Sequence, residues 1–401
     1  MFIVWFMIWI SNGVFPKYYI SAYIRIPFFI ITCLCYYFGL KRKKNLMVNK
    51  KLVILTFFMI ILQSITVMLN GLDIINDIYL FFVTISSLLF VSLIDKDEFI
   101  ISYTKALRSI TIISIIIYIV GFIFPLLLKN IPSLFLYTIK KNDTYVLMGT
   151  FLLRIKSALT YYRNCAIFSE PGQFQIFLSV GLIIELFLKE KINMKNIIIL
   201  IIGYFTCMST NGFITCALIF IAYALKNDNN NVIKKRKKNI IIIFIIIVLI
   251  VVVKTPKLNS ILDEVENKID NFSEDYSYNK NGTGMERRRA VDISTNIFLK
   301  NPIFGVGYKG MKKYVDDVNK NGIIMTFSPM NWFARFGILY GIIANLGLVV
   351  FFIKNKKIST CNICLFFAIM TMISAQAVNA DLFIIILILY GWNDIYKEEC
   401  K

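Results

Sequence analysis

The chain has 401 residues, 58% of them hydrophobic, a mean hydropathy of +0.69 and a formal charge of +20. Apolar residues make up about 45–50% of a soluble domain, so this composition excludes an ordinary water-soluble fold. The sequence contains no histidine, which argues against zinc ligation and against every His-based catalytic scheme. In a membrane protein a basic excess reads first as lysine and arginine crowding the cytoplasmic loops, not as a nucleic-acid surface.

A transmembrane helix needs about 20 mostly apolar residues, and such runs recur along the chain. Only satisfied backbones survive in lipid, so the expected fold is all-α and polytopic, one transmembrane domain over residues 1–401. Met1–Ile10 lacks a basic n-region and a cleavage site and reads as a retained first span, Phe2–Phe15. Span two, Ser21–Leu40, ends on Lys41-Arg-Lys-Lys44, a cytoplasmic mark. Spans three and four, Leu52–Leu69 and Ile78–Ile94, flank a turn without lysine or arginine. Asp95 to Arg108 reads as a short cytoplasmic segment before span five, Ile110–Leu128.

Lys129–Pro171 is too interrupted to span and too apolar for a free loop, so it is expected to hold interfacial or re-entrant pieces. Span six, Gln173–Leu188, leads to spans seven and eight, Asn196–Met208 and Phe213–Leu225, whose turn is Ser209-Thr-Asn-Gly212. The most basic run, Lys234-Lys-Arg-Lys-Lys238, precedes span nine, Ile240–Val253. A large polar loop, Lys254–Pro329, follows, and then spans ten to twelve at Trp332–Ile353, Cys361–Ala377 and Leu382–Ile395. The sum is about twelve spans in the cytoplasmic membrane. Both termini are expected in the cytoplasm, and Lys129–Pro171 and Lys254–Pro329 both face outward. The eight cysteines lie mostly in apolar runs and read as buried thiols.

Polar chemistry has to gather in those two outward segments. Arg287-Arg-Arg289 sits in an expected amphipathic helix, Glu286–Leu299, with Val291, Ile293, Ile297 and Phe298 as its apolar face. Asn301-Pro302 stops that helix, and Gly305 and Gly307 permit a tight backbone turn. Arginine at a membrane surface can simply snorkel to headgroups. Arg163 and Arg287 stand in compact Arg-turn-helix settings, where a planar guanidinium can bind phosphate oxygens with two bonds. Arg288 and Arg289 point to other faces. Glu170 either starts span six beside Pro171, with Ser169 as cap, or acts as a general base. Glu185 reads as solvated near the cytoplasmic face, and Asp381 as a helix cap or a site residue. Arg335 is an intramembrane charge and a functional candidate on that ground.

The stretch Arg287-x-x-x-Val291…Asn301-Pro-Ile-Phe-Gly-Val-Gly307 resembles the signature of the O-antigen polymerase and ligase family. Arg163…Phe168-Ser-Glu-Pro-Gly172 resembles the family's earlier arginine element, and Ser209-Thr-Asn-Gly212 its following hairpin. The resemblance implies a metal-independent membrane glycosyltransferase without a cofactor. Its substrate would be an oligosaccharide on a polyprenyl (undecaprenyl) diphosphate carrier at the outer face of the membrane. Arg163 and Arg287, with Arg288 and Arg289 as neighbours, would hold the diphosphate. Family ligases carry a histidine where this chain reads Ser328-Pro-Met-Asn331. That departure points to a polymerase making capsular or O-antigen polysaccharide, with Glu170 as the remaining candidate base. The lipid bilayer is the expected surroundings, and a chain-length regulator is a partner the sequence leaves open. A flippase for lipid-linked oligosaccharide is the competing class, and a ligase of the same fold differs only in its acceptor.

Overall fold

The computed structural model describes residues 2–13, 22–41, 49–123, 136–140, 143–148, 151–156, 162–226, 242, 283–318, 327–353, 359–374 and 376–398. Helices stand where spans one to eight were expected: α1 (Phe2–Asn12), α2 (Ala22–Lys41), α3 (Lys50–Asn70), α4 (Ile74–Leu93), α5 (Lys96–Ile123), α6 (Pro171–Ile183), α7 (Met194–Cys207) and α8 (Thr210–Leu225). After the arginine helix α9 (Thr283–Lys300) and α10 (Gly307–Val318) come α11 (Ser328–Phe352), α12 (Thr360–Ser374) and α13 (Leu382–Glu398). Five of them (α3, α4, α5, α6 with its π turn, and α11) are long and apolar enough to cross a membrane. The ninth expected span, Ile240–Val253, lies almost wholly outside the described residues, as does Lys254–Gly282.

Local chemistry sets the helix boundaries. Asn49, Asp73, Asn193 and Ser209 each accept a backbone N–H at the start of α3, α4, α7 and α8, satisfying a donor with no partner inside the helix. Two expected boundaries are corrected. The segment from Asp95 to Arg108 is no loop but the first half of α5, with Asp97 and Glu98 in its first turn. Acidic residues there favour a helix start, and no glycine or proline follows to break it. The α7–α8 turn is tighter than the Asn-Gly reading, since Met208 takes the left-handed conformation (φ 49°). Asn211 and Gly212 already lie inside α8.

The half-polar stretch also differs from expectation. Its described part forms a four-stranded antiparallel sheet in sequence order, β1 (Leu136–Lys140), β2 (Asp143–Met148), β3 (Phe151–Lys156) and β4 (Tyr162–Ala166). Among the described residues this small sheet stands out from a mostly helical fold. β-Branched and aromatic residues such as Thr144, Tyr145 and Val146 suit paired strands, and pairing satisfies the backbone without a helix. A bulge where β3 meets β4 and φ of 48° at Ala166 end the sheet at α6.

Two helices form the centre, and both are buried on every face over much of their length. From Phe174 onward every residue of α6 is buried, as is every residue from Leu382 to Tyr390 in α13. Phe177 stacks between Phe168 and Phe383, at centroid distances of 4.3 and 4.4 Å, and Tyr103 of α5 closes the row at 5.3 Å from Phe383. The backbone of α13 packs directly on that of α11 at Gly347 and Gly391, where a Cβ on Gly391 would overlap the Gly347 carbonyl. Small residues permit such approach where helices meet in lipid. The outer faces of α2, α3 and α12 leave Phe28, Phe57, Ile61 and Phe367 exposed, as lipid-facing surfaces require.

Long-range bonds define two ends. At the lower end Lys96 pairs with Asp394 (2.5 Å), Asn49 donates to Asn393 (3.0 Å), and Tyr390 to the Ile94 carbonyl (2.7 Å). Glu185 also lies there, in a π-helical turn (Ile184–Leu188). It is fully buried and not solvated. Its Oε1 accepts from Lys189 (2.6 Å) and from Asn196 (2.8 Å), because an unpaired charge is too costly to bury. At the upper end Ser11 donates to Asp381 Oδ1 (2.8 Å), which also accepts the Phe383 N–H (2.9 Å), so Asp381 is a cap that ties α1 to α13. Gly391→Ala should lower the thermal unfolding midpoint of the detergent-purified protein, with an overpacking cost of about 1–3 kcal/mol.

Candidate functional site

The described arginine helix and the Glu170 turn meet at the upper end, and the turn Asn301–Gly307 organises it. The described helix α11 is broken at Gly337 (φ 80°, ψ −175°). The break separates the Ala334 carbonyl from the Ile338 N–H, which an unbroken helix would join. The turn restores both partners. Val306 N donates to the Ala334 carbonyl (3.0 Å), and Ile338 N donates to the Pro302 carbonyl (2.8 Å). Non-helical backbone at membrane depth survives only where its polar groups are met in this way.

Glycine is required on both sides of that contact. A Cβ on Gly337 would overlap the Ile303 carbonyl, and one on Gly305 (φ 65°) would overlap the Arg335 carbonyl group. The turn is also fixed from α3, where Thr66 donates to the Phe304 carbonyl (2.8 Å) and Asn70 to the Gly305 carbonyl (3.2 Å). Arg335 lies over the Tyr308 ring at 4.4 Å, so it binds α10 to α11. Burial raises the Tyr308 phenol above its usual range, and the Arg335 charge opposes that rise.

The arginine helix packs on the first half of α11. Ala290, Ser294 and Ile297 are its innermost residues. Ile293 and Phe298 flank them against Val306, Met311, Val315 and Ala334. Val291 is only half-buried, so the apolar face is rotated toward Ala290 and Ser294. The Ser294 hydroxyl lies 2.6 Å from Asn331 Oδ1 and 2.7 Å from the Ala290 carbonyl, and Asn331 is fully buried. Arg289 is 9% exposed and Arg288 half-buried, while the Arg287 side chain lies outside the described residues.

Glu170 reaches the same first turn of α11 from the other side. It is the N-cap residue of α6, followed by Pro171, yet its side chain makes no cap bond. Ser169 is not the cap: its hydroxyl donates to Gln173 Oε1 (2.6 Å). The exposed Glu170 carboxylate accepts from Gln376 Nε2 (3.2 Å). Ser328, in the first turn of α11, donates to the Gln376 carbonyl (2.8 Å), and Asn379 donates back to the Ser328 carbonyl (3.0 Å).

Arg163 stands apart, on β4 against the end of α7. Its Nε donates to the Cys207 carbonyl (3.1 Å), a favourable place for a cation at a helix C-terminus. Among the described residues one of its five guanidinium donors is used. Its neighbour Asn164 is fully engaged, with donors to Ser114 and Thr206 (both 3.0 Å) and an acceptor for Ala166 N (2.8 Å). Sequence reading missed Asn164, Ser294, Asn331 and Gln376, because isolated Ser, Asn and Gln in apolar runs carry no pattern of their own. Their burial or their remote partners reveal them.

Residues 196–353 match the family model described as O-antigen ligase. Over that segment, less than half of its length, the chain is similar to the O-antigen ligase family. The segment takes in α7, α8, the arginine helix, the inserted turn and α11, and leaves Arg163 and Glu170 outside it. No curated protein and no solved structure matches the chain. In this chain the helix Thr283–Lys300 and the turn Asn301–Gly307 both clasp the broken α11.

Gly337→Ala should destabilise the protein by more than the roughly 1–2 kcal/mol that the left-handed backbone alone costs a non-glycine residue, since the Cβ also meets backbone. Faster backbone-amide exchange confined to α10 and the first half of α11 would check it. Ser294→Ala, which removes a buried hydroxyl, should cost about 1–3 kcal/mol in the same preparation.

Proposed function

We propose that this chain polymerises oligosaccharide repeat units carried on polyprenyl diphosphate, at the outer face of the cytoplasmic membrane. One observation carries the reading: the arginine helix and the Glu170 turn are bonded to the same turn of α11, through Ser294–Asn331 and through Gln376–Ser328. A polymerase needs this combination of cationic groups for a diphosphate leaving group and a carboxylate for the incoming hydroxyl. The hydroxyl of one repeat unit attacks the anomeric carbon of the other chain. The bond from that carbon to the diphosphate oxygen breaks, the electron pair leaves with the diphosphate, and Glu170 takes the hydroxyl proton.

Arg163, Arg287, Arg288 and Arg289 hold the diphosphate in this scheme. Placed guanidinium donors stabilise the charge that develops on the leaving oxygen, so neither a metal nor a cofactor has a step to perform. The description of the matched family model as a ligase favours one second reading, transfer of the finished polysaccharide to a final acceptor. The two share a donor and a leaving group and differ in the acceptor.

A strain lacking the chain should accumulate single lipid-linked repeat units on the outer face and lose long polysaccharide. Arg163→Ala with Arg287→Ala should reduce polymer by at least about 100-fold, the scale for loss of charge-stabilising donors. Full-length polymer left on its carrier would instead identify a ligase. Repeat units trapped on the inner face would identify a flippase.

A further inference from the structure

Gln376 stands in the turn between α12 and α13, and that turn is locked to α11. The Gln376 carbonyl accepts from Ser328 Oγ (2.8 Å) and from Val378 N (3.0 Å). Ser328 Oγ in turn accepts from Val378 N (2.9 Å), and Trp332 Nε1 donates to the Asn379 carbonyl (3.2 Å). With its backbone held, the Gln376 side chain crosses to α6, where its amide donates to Glu170 Oε2 (3.2 Å). Gly172 leaves the space for this: a Cβ there would overlap the Gln376 amide nitrogen. Glu170 is at an N-cap position, where a carboxylate ordinarily bonds backbone N–H groups, and it makes no such bond. Among the described residues its hydrogen-bond partner is Gln376 instead.

We propose that Gln376 is a positioning residue, holding the Glu170 carboxylate in register with the arginine-bearing helix α9. The proposal rests on the reading of Glu170 as proton acceptor. An exposed glutamate samples many rotamers, and ordering it at each turnover would add an entropic cost to the transition state. A neutral amide bonded to one oxygen orders the carboxylate and leaves the other oxygen for the incoming proton. The path from Glu170 to the arginine helix then runs through groups the backbone fixes: Gln376, Ser328, one turn of α11, Asn331 and Ser294.

The test uses the full chain in liposomes, with lipid-linked repeat units extracted from a strain that lacks it. Gln376→Met keeps the shape and removes the donor. It should lower turnover about tenfold, a coupling of ordinary size for two side chains in contact, with the KM for the lipid-linked donor unchanged. Gln376→Lys restores a donor and should recover most of that turnover. Gly172→Ala displaces only the mobile end of the glutamine and should reproduce the Met phenotype in a folded protein. Wild-type turnover in Gln376→Met and Gly172→Ala, with Glu170→Gln inactive, would overturn the positioning role alone. A loss confined to KM would also overturn it, by making Gln376 a substrate contact. Wild-type turnover in Glu170→Gln would overturn the proton role of Glu170, and the positioning role with it.

Discussion

The upper end of this protein depends on a helix that cannot complete its own hydrogen bonds. At Gly337 the ladder of α11 opens, and within a bilayer an open carbonyl and amide would each cost several kcal/mol. The turn from Pro302 to Val306 supplies the missing donor and acceptor from its own backbone. A backbone-to-backbone seam is insensitive to side-chain motion, so the turn and the helix it breaks move as one body. Three elements are attached to that body: α10 through Arg335 on Tyr308, α3 through Thr66 and Asn70, and the arginine helix through Ser294 on Asn331.

The polar pins at the two ends use different chemistry. At the lower end, acids and lysines neutralise one another: Lys96 with Asp394, and Glu185 with Lys189. At the upper end the named pins are mostly neutral, a serine to an asparagine or a hydroxyl to a carbonyl. Neutral pins hold helices together without consuming charge.

The sequence made the helices legible because their signal is simple, about twenty apolar residues between polar marks. It also made legible the proline and glycine punctuation of Asn301–Gly307. It did not show what that turn is for, since Gly337 is thirty residues away from Gly307 and the two backbones meet only in the fold. The sheet over 136–166 was hidden for another reason. Its strands are short, and apolar runs of that length read equally well as helix pieces until pairing is seen. Glu185 was misread because a charge near the end of an apolar run looks solvated, whereas Lys189 and Asn196 fold over it.

The bond from Arg163 to the Cys207 carbonyl can be read as a helix cap that excludes a role in binding, but its electrostatics point the other way. A carbonyl is a dipole without net charge. It fixes the direction of the guanidinium while leaving the full positive charge in place, whereas a carboxylate partner would cancel that charge. Among the described residues one donor of five is committed, and a fork of the two terminal nitrogens could bind phosphate oxygens with two bonds. The cap also fixes Arg163 to the α7 and α8 hairpin. Ser209 at that hairpin lies 3.5 Å from Gln175 of α6, one helical turn below the segment that carries Glu170. Arg163, the hairpin and the first turns of α6 thus form a second bonded unit beside the one built on α11. A ligand held by arginines on both would bridge two bodies that the polypeptide itself joins through Glu170 and Gln376.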